Sequence, residues 1–500
     1  MDASRGSALV LLGVGLFVTT MVVGAATAPS QTVSGVESPS TATSTPTDGT
    51  PVPDDAATPT DTPLPESPQT LVGVQGGWVT HGSVLGYDGQ NVEWRNTKAD
   101  GYFETTMLDN GTVLAAFANE TSTDCGEYGD PCARTGYRII DPETTETVSE
   151  YSFPVGSITD SEVHAVDPTG NGGFVYTDMD AERVVVAENG SEVWTWNASE
   201  RYEAPEDPTS RDWLHINDVD TIGDGRFLVS VRNANQLVVL ERGEGVVEVI
   251  NEDDGTSDDN CIDGDQRLHD ADGDGDVRCG DPSVIKEQHN PQWLGDGAVL
   301  VADSENDRVV ELHRTENGSW EPAWVVREAG GVALDWPRDA DRLPNGNTLV
   351  TDSLNRRVVE VDSEGEMVWA AQVGSDVTSG PGIPYEADRL PVGEYAGSYD
   401  DGDATATDGG TTDEANTATP TKTPLPQMTA ENGSADLRET GGEIPVLSLA
   451  VSALRGTFSW VPVWFGEAHL ALAALGVVLT LGGGIDHLLS TRNVSLPGRE

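Results

Sequence analysis

Apolar and polar residues alternate in short runs through the middle of the chain, and turn residues interrupt these runs at regular intervals. The clearest example is the segment 338–373, in which LPNGNTLVTDS, RRVVEVD and GEMVWAA follow one another with polar turns between them. Alternation with a period of two residues predicts β-strands, and the Gly-containing turns predict hairpins. We therefore expect an all-β domain over residues 71–397.

The same pattern recurs along this domain as an internal repeat. Copies begin near Tyr102, His164, His215, His289 and Arg338. Residues 385–395 repeat the opening of the last of these copies. Each copy reads as a four-stranded antiparallel sheet, and repetition of such sheets is typical of a β-propeller. The sequence predicts a six-bladed β-propeller, with a seven-bladed ring as the alternative.

The two ends of the domain carry incomplete copies. Residues 385–395 lack outer strands, whereas residues 80–95 form a hairpin without a lead-in of its own. Pairing of these two pieces would complete one blade and close the ring, which removes exposed sheet edges.

Two apolar segments lie outside the propeller. Residues 8–28 are uncharged and long enough to span a bilayer, but Ala26-Thr27-Ala28 also resembles a signal-peptidase site. This segment is therefore a signal anchor or a signal peptide. Residues 468–485 predict a C-terminal transmembrane helix, with Arg492 and Arg499 on its cytoplasmic side. Both alternatives place the propeller on the extracellular face of the cell membrane.

The segments between the propeller and these apolar stretches are rich in Thr, Ser, Pro and Asp. Residues 29–68 and the acidic, Thr-rich linker 398–440 cannot bury a core, which predicts disordered stalks. Asn-X-Ser/Thr acceptors for glycosylation, with chance occurrence as the alternative, stand at Asn110, Asn119, Asn189, Asn197 and Asn317.

The formal net charge of -58 is extreme, yet 12 tryptophans stand among the acidic residues. This combination favours a folded, halophilic protein over a disordered acidic chain, because concentrated salt screens the repulsion between surface carboxylates. Such a charge argues against nucleic acid and anionic membrane surfaces as binding partners.

The four cysteines form two local pairs, Cys125 with Cys132 and Cys261 with Cys279. An even number of cysteines in an exported protein favours disulfides, and this pairing of neighbours is preferred among three connectivities.

The second cysteine pair brackets an acidic insertion, residues 261–281. Within it, Asp270, Asp272, Asp274 and Asp281 have the one-three-five-twelve spacing of a calcium loop. The sequence predicts a structural Ca²⁺ site here, and a solvated acidic loop is the alternative.

Three histidines occupy the same place in the repeat. His164, His215 and His289 each precede, by ten to twelve residues, a short apolar strand that follows a Gly-rich turn. The innermost strand of a propeller blade starts near one mouth of the central channel. The three side chains should therefore converge there. The alternative is that each histidine only hydrogen-bonds a neighbouring loop.

Two further polar residues follow His215. Asn217 lies two residues on and therefore on the same strand face, and Arg232 follows the next strand. A planar guanidinium suits an oxyanion such as sulfate or phosphate, although a surface ion pair would also explain Arg232.

These segments resemble those of a known family. DWLHINDV with FLVSVRN, EQHNPQWLGDGAVLVADSEN, and VHAVDPTGNGGFVYTD are similar to the histidine-bearing segments of arylsulfotransferases. The resemblance covers about residues 70–397, and together with the charge it suggests a haloarchaeal-type, membrane-anchored member. It implies transfer of a sulfuryl group from an aryl sulfate ester to a phenol, with no nucleotide sulfate donor and no cofactor required.

The same resemblance implies roles for the histidines, the asparagine and the arginine of these segments. His289 would be the nucleophile that is transiently sulfated. His215, Asn217 and Arg232 would hold the sulfonate oxygens, and His164 would assist proton transfer or binding. Two alternatives remain, namely a non-catalytic extracellular propeller that binds a surface partner or glycan, and a sulfate or phosphate ester hydrolase.

Overall fold

A computed structural model of the chain describes the propeller and a C-terminal helix. The described residues are 14, 68–75, 81–126, 128–170, 172–206, 208, 212–223, 225–252, 268, 277–295, 297–373, 382–391, 425, 427–428, 451, 454 and 467–492. Nearly all of the predicted 8–28 segment and of both predicted stalks lies outside these residues.

Within the described residues, the strands form six four-stranded antiparallel sheets, together with one small hairpin, Glu328–Ala329 and Val332–Ala333. Each sheet is one propeller blade, and the first strands of neighbouring blades contact one another around the centre. The predicted six-bladed all-β propeller is confirmed, and the seven-bladed alternative is wrong.

The blades are numbered in chain order, with the innermost strand first. Blade 1 contains Pro384–Leu390, Gln69–Val74, Ser83–Asp88 and Asn91–Asn96. Blade 2 contains Gly101–Met107, Val113–Ser122, Cys132–Asp141 and Glu146–Val155. Blade 3 contains Val166–Pro168, Phe174–Asp178, Arg183–Glu188 and Ser191–Asn197. Blade 4 contains Ile216–Gly223, Arg226–Val231, Gln236–Glu241 and Gly245–Ile250. Blade 5 contains His289–Gly295, Ala298–Asp303, Arg308–Arg314 and Trp320–Val326, and blade 6 contains Pro337–Arg342, Thr348–Asp352, Arg357–Val361 and Met367–Gln372.

Blade 1 closes the ring from both ends of the domain, as the incomplete repeats predict. Its innermost strand, Pro384–Leu390, pairs antiparallel with Gln69–Val74, and Asp388 stands opposite Leu71. The strand Gln69–Val74 also pairs with the predicted hairpin. This pairing satisfies the backbone of both terminal pieces and joins residues that are about 300 positions apart in sequence.

Apolar residues that alternate along the strands pack between neighbouring blades. In one such cluster, Val72 and Leu85 of blade 1 are buried with Leu349 and Val358 of blade 6. Because successive side chains of a strand point to opposite faces, each blade contributes to the core on both of its sides.

Buried carboxylates tie the inner strands together. Glu386 of blade 1 accepts a hydrogen bond from the Thr105 amide of blade 2 at 2.8 Å. Glu104 of blade 2 accepts one from Val166 of blade 3 at 2.7 Å, and blade 6 repeats the arrangement against blade 1. Part of the acidic excess therefore lies inside the protein, where it orders the blades around the channel.

Cys125 and Cys132 form the predicted disulfide, with their Cα atoms 5.5 Å apart. The bond spans the connection between the second and third strands of blade 2. Cys279 is also disulfide-bonded. Its expected partner, Cys261, lies outside the described residues.

The predicted C-terminal span, 468–485, falls within the helix Glu467–Arg492. None of the helices in the described parts of the chain is long and apolar enough to cross a membrane. The prediction of a transmembrane helix at this position is therefore not supported.

Candidate active site

The three predicted histidines meet at one mouth of the channel, where they come from blades 3, 4 and 5. His215 directly precedes its inner strand, and His164 stands two residues before its own. The rings of these two residues are 5.3 Å apart. His289 begins the inner strand of blade 5 and lies 5.9 Å from the ring of Tyr385, which is 5.2 Å from His164. All three imidazoles are buried.

The hydrogen bonds of His289 define which of its nitrogens carries the proton. Nδ1 lies 2.8 Å from the Ser304 hydroxyl oxygen and 3.2 Å from the carbonyl oxygen of Glu287. The Ser304 hydroxyl donates its own hydrogen to the Pro337 carbonyl at 2.7 Å, so it accepts from His289. Because the Glu287 carbonyl can only accept, both contacts place the hydrogen on Nδ1. Nε2 therefore carries the lone pair.

The environment of His289 keeps its imidazole neutral. Burial holds the pKa of His289 well below its usual range, and the positive charges of Arg338 and Arg232 act in the same direction. A neutral imidazole with a free lone pair is a competent nucleophile at ordinary pH.

His215 is held by two carboxylates. Asp212 lies 2.5 Å from His215 Nδ1, which places the hydrogen on that nitrogen. Glu182 accepts hydrogen bonds from the backbone amides of Leu214 and His215 at 2.7 and 2.8 Å, and this clamp supports the left-handed backbone of His215 (φ +52°). Burial lowers the pKa of His215 to about 3, and the charge of Arg232 adds to this effect.

His164 is enclosed by aromatic side chains. Its ring lies 4.5 Å from Phe103, and Nδ1 is 3.1 Å from the Tyr385 hydroxyl. Its Nε2 is buried and has no hydrogen-bond partner among the described residues, although a Glu162 carboxylate oxygen lies 3.8 Å away. The imidazole therefore has one nitrogen available to a ligand or to a proton.

Arg232 reaches the site from the 3-10 helix Arg232–Ala234 that follows the second strand of blade 4. Its guanidinium donates to Glu287 at 2.5 Å and lies 3.9 Å from Asp212. The side chain is mostly buried, so the alternative of a surface ion pair does not describe it. Its charge is nevertheless already paired.

Asn217 contacts the residue that leads into the strand of His289. Its amide group donates to the carbonyl oxygen of Gln288 at 2.8 Å. Gln288 in turn donates to Ser230 and to the Gln236 carbonyl, both at 3.0 Å. These contacts make Asn217 a support for the residue that precedes His289.

The sequence pattern does not single out two residues of the site, Tyr385 and Arg338. Tyr385 contacts both His164 and His289, and burial raises its pKa well above 10, so that the phenol stays protonated. Arg338 lies 5.0 Å from the Tyr385 ring. Alignment of PRDADRLP with PYEADRLP places Arg338 and Tyr385 at the same repeat position. This shared repeat position is the sequence signal that points to both residues.

The calcium prediction concerns residues that mostly lie outside the described part of the chain, namely Asp270, Asp272 and Asp274. Asp281 is described, and it accepts a hydrogen bond from the Ser283 amide at 2.8 Å in a local turn. The described residues contain no group of three or more His, Cys, Asp or Glu side chains arranged to hold a metal ion. Calcium binding by the insertion stays a prediction.

The sequence model of the arylsulfotransferase (ASST) family matches residues 88–374 of this chain. This range exceeds half of the chain and contains blades 2 to 6, with His164, His215 and His289. No curated protein matches the chain.

Several solved structures show similarity at low sequence identity. A protein of unknown function from Bacteroides caccae is 13% identical with a TM-score of 0.42, covering 65% of this chain and 100% of that one. A periplasmic gluconolactonase from Pseudomonas aeruginosa is 13% identical with a TM-score of 0.36, covering 65% and 99%. Virginiamycin B lyase from Staphylococcus aureus is 9% identical with a TM-score of 0.33, covering 67% and 91%. At TM-scores below 0.5, these matches carry no argument about function.

Proposed function

The chain belongs to the arylsulfotransferase family, and we propose that it transfers a sulfuryl group from an aryl sulfate ester to a phenol through a sulfated His289. The observation that carries this proposal is the pair of contacts from His289 Nδ1 to Ser304 and to the Glu287 carbonyl. They leave Nε2 as the nucleophilic nitrogen at the channel mouth.

In the first step, Nε2 of His289 attacks sulfur, and the bond between sulfur and the ester oxygen breaks. The electron pair of that bond leaves on the phenolate, which takes a proton from water. Sulfuryl transfer resembles phosphoryl transfer, in which a planar group passes between an in-line donor and acceptor. Fixed positive charge stabilises its oxygens, and Arg232 is one source of that charge at this site.

In the second step, the oxygen of the acceptor phenol attacks sulfur, and the bond between sulfur and Nε2 breaks. The lone pair returns to His289. We assign the acceptor's proton to Nε2 of His215, because Asp212 occupies Nδ1 at 2.5 Å and stabilises the imidazolium that forms. The proton then passes to solvent, which balances the one taken up in the first step.

This assignment gives His215 and Asn217 roles that differ from those the family resemblance implies. A His215 whose Nε2 carries the lone pair accepts a proton more readily than it donates to a sulfonate oxygen. The amide of Asn217 already donates to the Gln288 carbonyl, which suits a supporting role.

We also propose that the propeller works outside the cytoplasm. The disulfide between Cys125 and Cys132 supports this location, because such bonds persist in oxidising compartments and are rare in the cytosol.

Incubation with 4-nitrophenyl sulfate in concentrated salt, with and without a second phenol, tests the proposal. We expect nitrophenol release to increase with the acceptor, because the acceptor discharges the sulfated histidine. Nitrophenol release that does not depend on the acceptor and yields inorganic sulfate would indicate a hydrolase. Absence of turnover across several aryl sulfates would favour the non-catalytic binding function.

A further inference from the structure

Arg338 is a buried cation at the channel mouth, and neither the sequence pattern nor the family resemblance assigns it a role. It is the second residue of the inner strand of blade 6, Pro337–Arg342. Its guanidinium stacks on the Trp336 ring at 3.8 Å and faces the Tyr385 ring at 5.0 Å. Aromatic faces thus fix the plane of the guanidinium.

Arg338 differs from the other buried arginines in its partners. Within the described residues, its guanidinium hydrogen-bonds the side-chain oxygen of Gln75 and forms no ion pair, and its Nε is buried without a hydrogen-bond partner. Arg342, in the same strand, instead forms a buried ion pair with Glu311 at 2.8 Å. A buried charge without a counter-ion is costly, so its presence at a channel mouth indicates a bound anion.

The charge of Arg338 persists at ordinary pH. Burial lowers its pKa, but only to about 10, so the guanidinium remains protonated in neutral solution. The carboxylates of Glu162 and Glu305 interact with it electrostatically without forming an ion pair. Arg232, by contrast, has a counter-ion, because one of its terminal nitrogens forms an ion pair with Glu287 at 2.5 Å.

Arg338 and His289 share their neighbours. Trp336 contacts the His289 ring at 6.2 Å and Tyr385 contacts it at 5.9 Å, and both rings also face Arg338. Among the charged groups that act on His289, Arg338 has the strongest effect. An anion that binds Arg338 therefore lies next to the proposed nucleophile.

We infer that Arg338 is the principal sulfonate-binding residue, and that its guanidinium holds sulfuryl oxygens while the group moves to and from His289. This inference rests on the proposed function, and it names the residue that selects a sulfate monoester. The planar fork of a guanidinium matches two oxygens of such a group. Trp336 and Tyr385 would then lie beside the aromatic part of the ester.

Titration with sodium sulfate tests the anion site without requiring turnover. Wild-type protein, Arg338→Gln and Arg338→Lys should be compared by calorimetry at constant total ionic strength, which is set with potassium chloride. We expect Arg338→Gln to bind sulfate about 10- to 150-fold more weakly than wild type, as the loss of a charge-assisted contact implies. The sulfate affinity of Arg338→Lys should lie between those of wild type and Arg338→Gln, because lysine keeps the charge but lacks the planar fork of the guanidinium.

Arg342→Gln is the matched control, since it removes a buried arginine of the same strand that has its own carboxylate partner. It should leave the sulfate affinity unchanged. Equal sulfate affinity in wild type and Arg338→Gln would overturn the assignment of Arg338, as would a wild type that binds no sulfate.

Turnover of 4-nitrophenyl sulfate gives the second measurement. Arg338→Ala should lose most of its kcat/KM and recover part of it when guanidinium is added at millimolar concentration, because the added ion fills the vacated place on Trp336. Rescue also establishes that the variant is folded.

Sulfate binding that depends on Arg338, in a wild type without any turnover, would support the anion site and refute the proposed transfer. Undiminished turnover in Arg338→Gln would refute the role of Arg338 but would not contradict the proposed sulfuryl transfer.

Discussion

His289 donates its Nδ1 hydrogen to the hydroxyl oxygen of Ser304 at 2.8 Å, and this contact determines which imidazole nitrogen is nucleophilic. Ser304 is itself anchored to the Pro337 carbonyl of blade 6. The orientation of the proposed nucleophile therefore depends on the packing of blade 5 against blade 6.

Replacement of Ser304 with Ala should lower kcat and leave KM nearly unchanged. The variant keeps the Glu287 carbonyl as an acceptor for Nδ1 at 3.2 Å but loses the closer partner at 2.8 Å. One neutral hydrogen bond is worth about 1 kcal/mol, which corresponds to a decrease of about fivefold in rate. Ser353→Ala is the control, because Ser353 follows Asp352 in blade 6 as Ser304 follows Asp303 in blade 5. Equal losses in both variants would argue that Ser304 matters only for the fold.

The pH profile of kcat/KM should remain flat well below pH 6.5. Protonation of His289 or His215 would remove a lone pair that the proposed mechanism needs. Burial depresses the pKa of both residues, to about 3 for His215. The acid limb should therefore appear only as the pH falls through these lowered values. A profile that loses half of its activity near pH 6.5 would contradict this description of the site.

Asp212→Asn should reduce turnover more strongly than it reduces substrate binding. The variant keeps an oxygen for Nδ1 of His215 but loses the charge that stabilises the imidazolium. We expect kcat to fall on the order of 100-fold, in the range of general base catalysis. The control is Asp100→Asn, which removes the carboxylate from another aspartate–histidine pair, at 2.5 Å from the exposed His81. If kcat falls no further in Asp212→Asn than in Asp100→Asn, His215 is not the base.

The convergence of His164, His215 and His289 follows from the sequence because the repeat places them at one position on consecutive blades. Tyr385 and Arg338 occupy related positions, but their residue types differ from histidine, and a search for repeated histidines cannot find them. The sequence pattern also does not predict the strand Gln69–Val74. It is short, it follows a stalk-like segment, and its inner neighbour lies at the other end of the domain.

Composition predicted the acidic surface but not the acidic interior. A count of carboxylates cannot distinguish a solvated side chain from Glu386, whose buried oxygen accepts the Thr105 amide of the next blade. Only the ring geometry brings these groups into contact with backbone amides.

One buried carboxyl of the channel gives a stability prediction. Burial raises the pKa of Asp388 to about 8, and the nearby Asp339 adds to this effect. The unfolded chain ionises Asp388 near its ordinary pKa, so the folded state binds more protons between about pH 4 and 8. The contribution of Asp388 to stability therefore falls as the pH rises through this window.

Asp388→Asn should remove that penalty while it keeps an oxygen for the Thr106 hydroxyl. We expect the variant to be more stable than wild type by an amount, on the order of 1 kcal/mol or more, that grows from pH 5 to pH 8. Thermal unfolding at fixed ionic strength measures it. Asp109→Asn, at an exposed turn of blade 2, is the control and should show no such dependence. A stability difference that is the same at both pH values would show that Asp388 is not a buried, proton-binding group.

The central claim is that the sulfuryl group rests on His289 between donor and acceptor. The most direct measurement is mass analysis of peptides from enzyme that has been quenched during turnover of 4-nitrophenyl sulfate without an acceptor. We expect a sulfuryl group on the peptide that contains His289. In His289→Ala this adduct and nearly all turnover should be absent, whereas His81→Ala, which changes an exposed histidine, should retain both. A sulfuryl group on another residue, or full activity in His289→Ala, would contradict the account.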